Sequence, residues 1–391
     1  MKVLFFSPDQ NPFKFSSGAL QRTNLLLKAC LSETDVDIFT FKKVDEVFTS
    51  KHKVISCKKK EINQDVSFKI TRWQKWKPVL TFWRLNSIFY LNRENIKVIN
   101  KVVDFNKYDK IVIRYLSKAV EYGLLKHSEK LIVDVDDLPT DQFKILSSES
   151  GTLSGKIRNS VLSLNSRYST RIVIGRIYCS FFSNPNQLMG KRAVYLPNVP
   201  FYEDIECDDV NFSVQAKRIV FIGDFGHSPN EKGIDCFLKS VYSEIYNKDN
   251  SVEFFIGGKV YDPLMKLRWE KYPNVHVVGY VDDLKDFYEK SRVVVIPIYL
   301  GGGTNIKFLE SAQMKRACIT TKVGIRGFNH VFLKGEDVEI AESHDDFKEL
   351  LYKLLNDEGR NKQIANNANK KVKANFSIEV FSETVKRVLL K

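Results

Sequence analysis

The chain has 391 residues, 43% of them hydrophobic, which is enough to form the cores of about two or three domains. Its six cysteines are scattered without a C-x-x-C pair, which excludes a disulfide framework and a zinc site and predicts a reducing compartment. No stretch approaches the roughly 18 apolar residues of a spanning helix, and no signal-peptide core follows Met1, so we expect a cytoplasmic protein.

The net charge of +14 is confined to the first half of the chain. Residues 1–200 hold 33 Lys and Arg against 18 Asp and Glu, whereas residues 201–391 hold 28 against 29. Such an asymmetry indicates that the first half meets an anionic partner, either a membrane surface or a nucleic acid.

The N-terminal residues predict the start of a doubly wound α/β domain. A strand at Lys2–Phe6 is followed by a loop that contains Gly18 and by a helix over 19–31. Arg22 lies on the first turn of this helix, where it is either a ligand for an anion or a solvated surface charge. Further strands are expected over 36–41 and 48–55.

Residues 56–97 form a basic and aromatic segment. Six of its aromatic residues are interleaved with six of its bases: Trp73, Trp76, Phe82, Trp83, Phe89 and Tyr90 with Lys69, Arg72, Lys75, Lys77, Arg84 and Arg93. This pattern favours an anionic bilayer, where rings sit at headgroup level and amines meet phosphates. The alternative is a core helix with its aromatic residues inward. Nucleic-acid binding is disfavoured, because no RNA-binding signature, helix-turn-helix or zinc pattern accompanies the segment.

Charged residues follow two further predicted strands. A strand over 109–115 ends near Arg114, and a strand over 130–137 ends in three acids, Asp134, Asp136 and Asp137. Acids at the carboxyl end of a parallel strand face the crevice where α/β folds bind ligands. They suit a divalent metal, a base for an acceptor hydroxyl, or a helix cap. We favour an acceptor-site role for Asp136 or Asp137 and no metal.

The remainder of the first half predicts helices within 141–171, broken around 147–155, and strands over 171–175 and 193–197. Residues 198–209 have the composition of a linker. The second half then repeats the pattern, with strands expected over 218–223, 251–258, 274–278 and 317–321 and with helices beginning near Ile234 and Leu284.

The stretch 292–321 reads as strand, glycine loop, helix and strand. Val293–Ile296 is a buried strand, and Thr304 or Asn305 is expected to cap the next helix. Lys307 and Glu310 are neighbours on one face of that helix. A glycine loop before a helix N-terminus suits a phosphate, and a carboxylate suits a ribose diol. The alternative is a βα turn whose glycines serve only packing.

Several motifs together resemble the retaining glycosyltransferases of family 4, group 1, which have the GT-B fold. The strongest are G-D-F-G-H-S-P-N at 223–230, N-V-H-V-V-G-Y-V-D-D-L at 274–284, I-P-I-Y-L-G-G-G-T-N-I-K-F-L-E-S-A-Q at 296–313 and A-C-I-T-T-K-V-G-I-R-G-F at 317–328. The resemblance implies two Rossmann-like parallel-sheet domains facing a cleft. These are an acceptor domain over 1–200 and a donor domain over 201–375, with a helix at about 376–391 packing back on the first.

The resemblance also implies roles for individual residues. Glu310 would bind the donor ribose, and Lys307 would neutralise the leaving phosphate as a catalytic residue. Apart from the resemblance, the positions of Asp136 and Asp137 after a strand suggest a catalytic residue on the acceptor side, and Arg22 and Arg114 are expected on the acceptor or phosphate side. The remaining donor-side positions are Gly18, Gly223, His227, Lys232, Tyr280, Val281, Gly302, Gly303, Thr304 and Asn305. Three positions depart from the family pattern: Gly302 and Asp136 replace a frequent glutamate and histidine, and Asp224 a frequent arginine.

The expected function is transfer of a sugar from a nucleoside diphosphate sugar to a glycan or lipid-linked acceptor, with retention and without cofactor or metal. The acceptor would be a surface-polysaccharide or lipid-linked precursor at the inner face of the cell membrane. A sugar-nucleotide epimerase of the same fold is one rival. The other is a degenerate scaffold that partners another transferase, which Asp224 and Gly302 would favour.

Overall fold

The computed structural model describes residues 1–14, 18–59, 91–135, 138–200, 205, 207–213 and 216–391. These residues form two compact units. Unit 1 is Met1–Pro197 with Phe381–Lys391, and unit 2 is Asn198–Val380. Each unit is built around one parallel sheet. The chain crosses from the first unit to the second after Pro197 and returns to the first at Phe381.

The sheet of unit 1 has seven described strands in the order β3-β2-β1-β4-β5-β6-β7, all parallel. They are β1 Lys2–Phe6, β2 Asp35–Thr40, β3 Lys53–Ser56, β4 Lys110–Arg114, β5 Leu131–Asp134, β6 Cys179–Phe182 and β7 Ala193–Tyr195. The helices between them are α1 Gly18–Leu31, α2 Glu46–Thr49, α3 Arg93–Val102, α4 Leu116–Glu121, α5 Pro139–Glu149 and α6 Leu153–Ile174.

The sheet of unit 2 has six described strands in the order β10-β9-β8-β11-β12-β13, again all parallel. They are β8 Arg218–Ile222, β9 Glu253–Gly257, β10 Val275–Gly279, β11 Val293–Ile296, β12 Ala317–Thr321 and β13 Glu339–Ala341. The helices of this unit are α7 Ser228–Phe237, α8 Ser243–Lys248, α9 Pro263–Trp269, α10 Leu284–Glu289, α11 Ile306–Gln313, α12 His344–Asn356 and α13 Glu358–Asn375. Helix α14, Ile378–Leu389, begins in unit 2 and lies mostly in unit 1.

The central strands are continuous apolar runs because helices cover both faces of each sheet. All four residues of β11 and all four of β5 are buried. In each sheet the strand order reverses beside the first strand of the unit, between β1 and β4 and between β8 and β11. The carboxyl ends at such a reversal leave a crevice where α/β folds bind ligands.

Two strands expected from the sequence are wrong. Residues 48–55 begin as α2, whose Phe48 ring stacks on that of Phe13 with 4.4 Å between centroids, and only Lys53–Ser56 is a strand. Residues 171–175 complete α6 instead of forming a strand. Val173 and Ile174 join the apolar core of unit 1 from the helix, so packing overrides the β preference of the branched run.

The helix expected from Ile234 begins earlier, at Ser228. Pro229 occupies the first turn of α7, where a missing N–H costs nothing, and its fixed backbone angle favours the start of a helix. Within the described ranges, no helix is long and apolar enough to cross a bilayer.

Candidate functional site

The glycine loop of unit 2 connects β11 to α11. Gly301 and Gly303 have φ angles of 149° and 67°, a region that side-chain-bearing residues rarely adopt. The loop can therefore turn tightly at the carboxyl end of β11, immediately before the first turn of α11.

Arg326 holds this loop from one side. Its Nη2 donates to the carbonyl oxygen of Gly301 at 2.6 Å, and its Nε donates to that of Gly303 at 3.2 Å. In a trans peptide the N–H points opposite to the carbonyl, so the N–H groups of Gly302 and Thr304 point away from the guanidinium. No described residue accepts a hydrogen bond from either group. The loop thus presents two backbone donors above a fixed positive charge.

The start of α11 has no side-chain cap, contrary to the expectation for Thr304 or Asn305. Asn305 occupies the cap position, but its Nδ2 donates to the carbonyl oxygen of Gly324 at 3.1 Å. The hydroxyl of Thr304 accepts a hydrogen bond from Nδ2 of Asn198 at 2.6 Å. The N–H groups and the positive dipole end of the helix are therefore available to an anion.

Lys307, on the first turn of α11, connects this helix to α7. Its Nζ donates to Oδ1 of Asn230 at 3.1 Å, and Nδ2 of Asn230 donates to the carbonyl oxygen of Asp224 at 2.7 Å. Burial lowers the pKa of Lys307 to about 8, although the nearby carboxylate of Glu310 opposes the shift. The ammonium is thus poorly solvated and would gain from an added anionic partner.

Glu310 lies one turn further along α11 and is buried. Burial raises its pKa to about 7, against the opposing charge of Lys307. A buried acid and a partly buried base on one helix, both with pKa values shifted toward neutrality and both beside a glycine loop, form a candidate functional site.

The opposite edge of the site is built by backbone in close approach. At Gly258, where φ is 127°, a side chain would place its β-carbon 1.7 Å from the carbonyl oxygen of Gly223. The carboxyl ends of β8 and β9 therefore come together with no side chain between them. Beyond β10, the Tyr280 side chain is 73% exposed and Val281 is half-buried.

Two predicted residues on the β8–α7 connection have different surroundings. His227 is largely exposed to solvent. Its pKa is nevertheless lowered, because the ring is partly desolvated and because the charge of Lys307 is near. Lys232 is exposed on α7, whereas Asn230, two residues earlier on the same helix, reaches Lys307.

In unit 1, Arg22 and Arg114 meet on one buried carboxylate. Asp134 accepts from Nε and Nη2 of Arg22 at 2.8 and 2.7 Å, and from Nε of Arg114 at 2.9 Å. Burial alone would raise the pKa of Asp134, but the two guanidinium groups hold it below its ordinary value. Arg22 is only 3% exposed, so the interpretation of it as a solvated surface charge is wrong.

A cavity of about 230 Å³ lies at the strand reversal of unit 1. Its polar lining comes from Ser7, Asp9, Gln10, Thr23, Arg114, Tyr115 and Lys118. Tyr115 follows β4 with a φ of 66°, and strained backbone of this kind is enriched at functional sites. The position matches that of a ligand crevice in a parallel sheet.

Some predicted residues lie outside the described residues. These are Asp136, Asp137 and most of the 56–97 segment, together with part of the loop before Gly18, which itself begins α1. Among the residues that the structure does describe, no group of three His, Cys, Asp or Glu side chains is arranged to hold a metal ion. The first acid of the D-V-D-D run, Asp134, is already bound by two arginines.

Sequence reasoning missed Asn230 and Arg326. Both stand inside the motifs named above, S-P-N at 228–230 and G-I-R-G at 324–327, yet neither received a role. Both residues make contacts with parts of the chain that are far apart in sequence, and local patterns do not show such contacts. Their place inside the motifs was the signal that could have pointed to them.

Residues 216–357, which include the glycine loop, Lys307, Glu310 and Arg326, match the family model described as "Glycosyl transferases group 1". The match lies within the second unit and covers less than half of the chain. The predicted resemblance to this group is thereby confirmed, and its assignment to family 4 stays a prediction.

The chain is also similar to a curated protein and to solved structures, and the solved structures show the fold. A capsular polysaccharide biosynthesis glycosyltransferase, CapM, from Staphylococcus aureus is 30% identical over 170 residues, which are 41% of this chain and only 43% of that protein. Sucrose-phosphate synthase from Thermosynechococcus elongatus aligns with a TM-score of 0.70 at 12% identity, covering 100% of this chain and 98% of the other. HepE from Anabaena, in complex with UDP and glucose, aligns over the full length of both chains with a TM-score of 0.65 at 10% identity. The predicted GT-B fold, with its two parallel-sheet domains, is confirmed.

Proposed function

We propose that this chain is a glycosyltransferase that moves a sugar from a nucleoside diphosphate sugar to an acceptor. The observation that carries the proposal is the pair Lys307 and Glu310 at the uncapped start of α11, behind a loop held open by Arg326. Each part of the donor has a matching group in unit 2.

The diphosphate would lie on the glycine loop. The N–H groups of Gly302 and Thr304 and the dipole of α11 supply donors, and Lys307 and Arg326 supply two cations. Lys307 would stabilise the charge that develops as the phosphate leaves, because electrostatic stabilisation of the transition state usually contributes most to the rate of such transfers. This arrangement needs no metal and no cofactor.

The nucleoside would lie beyond the diphosphate. The Glu310 carboxylate would accept hydrogen bonds from the ribose hydroxyls, and the base would stack near Tyr280 and Val281. Gly302 would contribute its amide to the sugar–diphosphate in place of a side chain. The carboxyl ends of β8 and β9, which come close together at Gly223 and Gly258, would form a backbone wall of the donor site.

The acceptor would bind unit 1, with Asp136 or Asp137 positioning its hydroxyl as a base. The cavity lined by Arg114, Tyr115 and Lys118 would hold an anionic or hydroxyl-rich part of it. We further propose that transfer retains the anomeric configuration, by attack on the face that the phosphate leaves, without a protein nucleophile.

The identity of the acceptor is suggested by the names of similar proteins. CapM is named for capsular polysaccharide biosynthesis, and HepE was solved with UDP and glucose. We therefore propose a UDP-sugar donor and a surface-polysaccharide or lipid-linked precursor as acceptor. The 56–97 segment would attach the protein to the cytoplasmic face of the membrane through its aromatic and basic side chains.

A nucleotide screen tests the donor site. The melting temperature is measured with UDP, GDP, ADP and CMP, and we expect one nucleotide to raise it, with UDP the first candidate. Glu310→Gln should reduce the shift, because a carboxylate with two acceptor oxygens becomes an amide with one.

Glu339→Gln is the matched control. Glu339 is buried in the same unit but accepts hydrogen bonds from Arg360 at 2.7 and 3.1 Å, away from the loop. This variant should melt lower and keep the full nucleotide shift. No shift with any nucleotide would favour the scaffold, and conversion of a UDP-sugar without any acceptor would favour the epimerase.

A further inference from the structure

Helix α6 of unit 1 exposes large apolar side chains along one face. Leu153, Ile157, Leu164 and Tyr168 are 74, 50, 61 and 51% exposed. Their spacing of four, seven and four residues places them in one stripe. On the preceding helix α5, Leu146 is 49% exposed, and its carbonyl oxygen accepts a hydrogen bond from Asn159 of α6 at 3.0 Å. An exposed apolar stripe of this size marks an interaction surface.

The same face carries bases and no acid. Lys156, Arg167 and Arg171 are exposed beside the apolar stripe. The sequence of α6 contains four bases and no Asp or Glu, and residues 151–200 contain seven bases and no acid. These three exposed bases and the four apolar side chains are called here the α6 face.

The side of α6 turned into unit 1 is rich in small polar residues. Asn159, Ser163, Asn165, Ser166, Ser169 and Thr170 are all buried. Ser163 Oγ donates to the carbonyl oxygen of Thr140 at 3.2 Å. Leu162, Val173 and Ile174 are buried on the same side. A helix that meets water on its outer side normally keeps its leucines inside, so the four exposed apolar side chains are explained by an outer surrounding that is itself apolar.

We propose that the α6 face docks on an anionic lipid surface. Its leucines and Ile157 would insert at the level of the upper acyl chains, Tyr168 would lie at the headgroups, and the bases would meet lipid phosphates. The α6 face shares no residue with the 56–97 segment. The docking does not depend on the transferase activity, because it uses no residue of the donor site.

Charge and apolarity together select this partner. A nucleic acid would be bound by the bases, but it offers nothing for four exposed apolar side chains. A second copy of the chain would bring the same seven side chains, so three bases would meet three bases. A bilayer with anionic headgroups matches both parts of the face.

The test is co-sedimentation of the full chain with vesicles of phosphatidylglycerol and phosphatidylcholine, compared with phosphatidylcholine alone. We expect binding to the anionic vesicles to be at least about tenfold stronger. The double variants Leu153→Ser with Leu164→Ser, and Arg167→Gln with Arg171→Gln, should each weaken it by about tenfold or more.

Matched controls distinguish binding by the α6 face from nonspecific adsorption of other exposed apolar or basic side chains. Leu264 and Leu267 on α9 of unit 2 are 69 and 60% exposed, so Leu264→Ser with Leu267→Ser removes the same chemistry elsewhere. Lys271→Gln with Lys370→Gln removes two exposed charges of unit 2. Both controls should bind within about twofold of the unchanged chain.

Circular dichroism melting shows whether each variant is folded. The proposal is overturned if folded α6 variants sediment like the controls, whatever the 56–97 segment contributes. It is also overturned if the leucine variant converts a dimer to a monomer without changing vesicle binding, or if the chain retains RNA or DNA more strongly than vesicles.

Discussion

Lys307 and Glu310 have unusual acid–base properties for two residues three positions apart on a helix. Both are shifted toward neutrality by burial, in spite of a mutual attraction that opposes each shift. Burial thus exceeds the pairing, which indicates that neither group is satisfied by the other. A bound nucleoside diphosphate would add to the contact that Lys307 makes with Asn230, since it brings anionic oxygens for Lys307 and hydroxyl donors for Glu310.

This pair predicts a pH dependence for nucleotide binding. Lys307 has a pKa lowered to about 8, so it carries its charge below that pH and loses it above. Glu310 has a pKa raised to about 7, so its carboxylate is complete only above that pH. UDP affinity, measured by calorimetry, should be greatest between about pH 7 and 8 and fall up to tenfold per unit above.

Lys307→Met is the diagnostic variant for that profile. It should bind UDP at least about tenfold more weakly at pH 7 and show no further fall above pH 8. It should also melt higher without nucleotide, because a poorly solvated ammonium is replaced by an apolar chain of similar length. An alkaline fall that persists in this variant would assign the titration to another group.

Arg326 provides a second prediction for a single residue. Arg326→Gln removes the charge and the paired hydrogen bonds to Gly301 and Gly303, so UDP affinity should fall about 10- to 100-fold. Arg326→Lys keeps the charge but loses the planar fork, and its affinity should be intermediate. If the Gln and Lys variants bind UDP equally weakly, the charge of Arg326 is not needed and the residue only shapes the loop. If both bind UDP like the unchanged chain, Arg326 contributes to binding neither by its charge nor by shaping the loop.

The edge formed by β8 and β9 allows a prediction about stability. Gly258→Ala would place a β-carbon 1.7 Å from the carbonyl oxygen of Gly223, at a φ that alanine rarely adopts. The two strands would have to separate, and we expect a loss of about 3 kcal/mol or more in the free energy of unfolding of unit 2. Urea denaturation with a fluorescence readout measures it.

Gly359→Ala is the control for that substitution. Gly359 lies in α13, where the nearest atom to an added β-carbon is Oδ1 of Asp357 at 3.6 Å, so alanine should be neutral or slightly stabilising. Equal losses in both variants would contradict the close approach at Gly258.

The elements differ in how far their sequences determine them. Buried β-branched runs such as Val293–Ile296 have a strand signal that tertiary packing reinforces, and their predicted bounds agree with the structure. Residues 171–175 contain a similar apolar run, Ile172–Ile174, but they continue a helix that begins at Leu153. The local pattern could not show this, because tertiary contacts decide whether such a run pairs as a strand or packs from a helix.

Some residues of the candidate site could likewise be predicted from the sequence, and others could not. Lys307 and Glu310 could be placed together from helical spacing alone. Arg326 and Asn230 could not, since their contacts depend on how the chain closes between β12 and the loop and between α7 and α11. The side chain of Asn305 was misjudged for the same reason, because the carbonyl of Gly324 that it binds lies 19 positions away in sequence.

Unit 1 is built from two separate stretches of chain. The end of α14 belongs to it, with Lys386 Nζ 3.1 Å from a carboxylate oxygen of Glu33, and with the Phe381 ring 5.6 Å from the guanidinium carbon of Arg22. Val385 and Leu389 are 1% exposed. Removing α14 would therefore uncover apolar surface of unit 1.

A truncation tests this dependence. A chain ending at residue 377 should lose several kcal/mol from the unfolding of unit 1, because at least two fully buried side chains and one ion pair are removed. Limited proteolysis should cut within 1–197 first, while the nucleotide shift of unit 2 is kept. Preferential cleavage of unit 2 would contradict the assignment of α14.

The return of the chain through α14 also orders events during synthesis. Unit 1 emerges first from the ribosome, yet it lacks a part of its core until Phe381–Lys391 has been made. Unit 2 lies wholly between these stretches and can fold without waiting. A message cut short before the codons for Phe381–Lys391 would thus yield a complete unit 2 attached to an unfinished unit 1, which quality-control proteases can recognise by its exposed core.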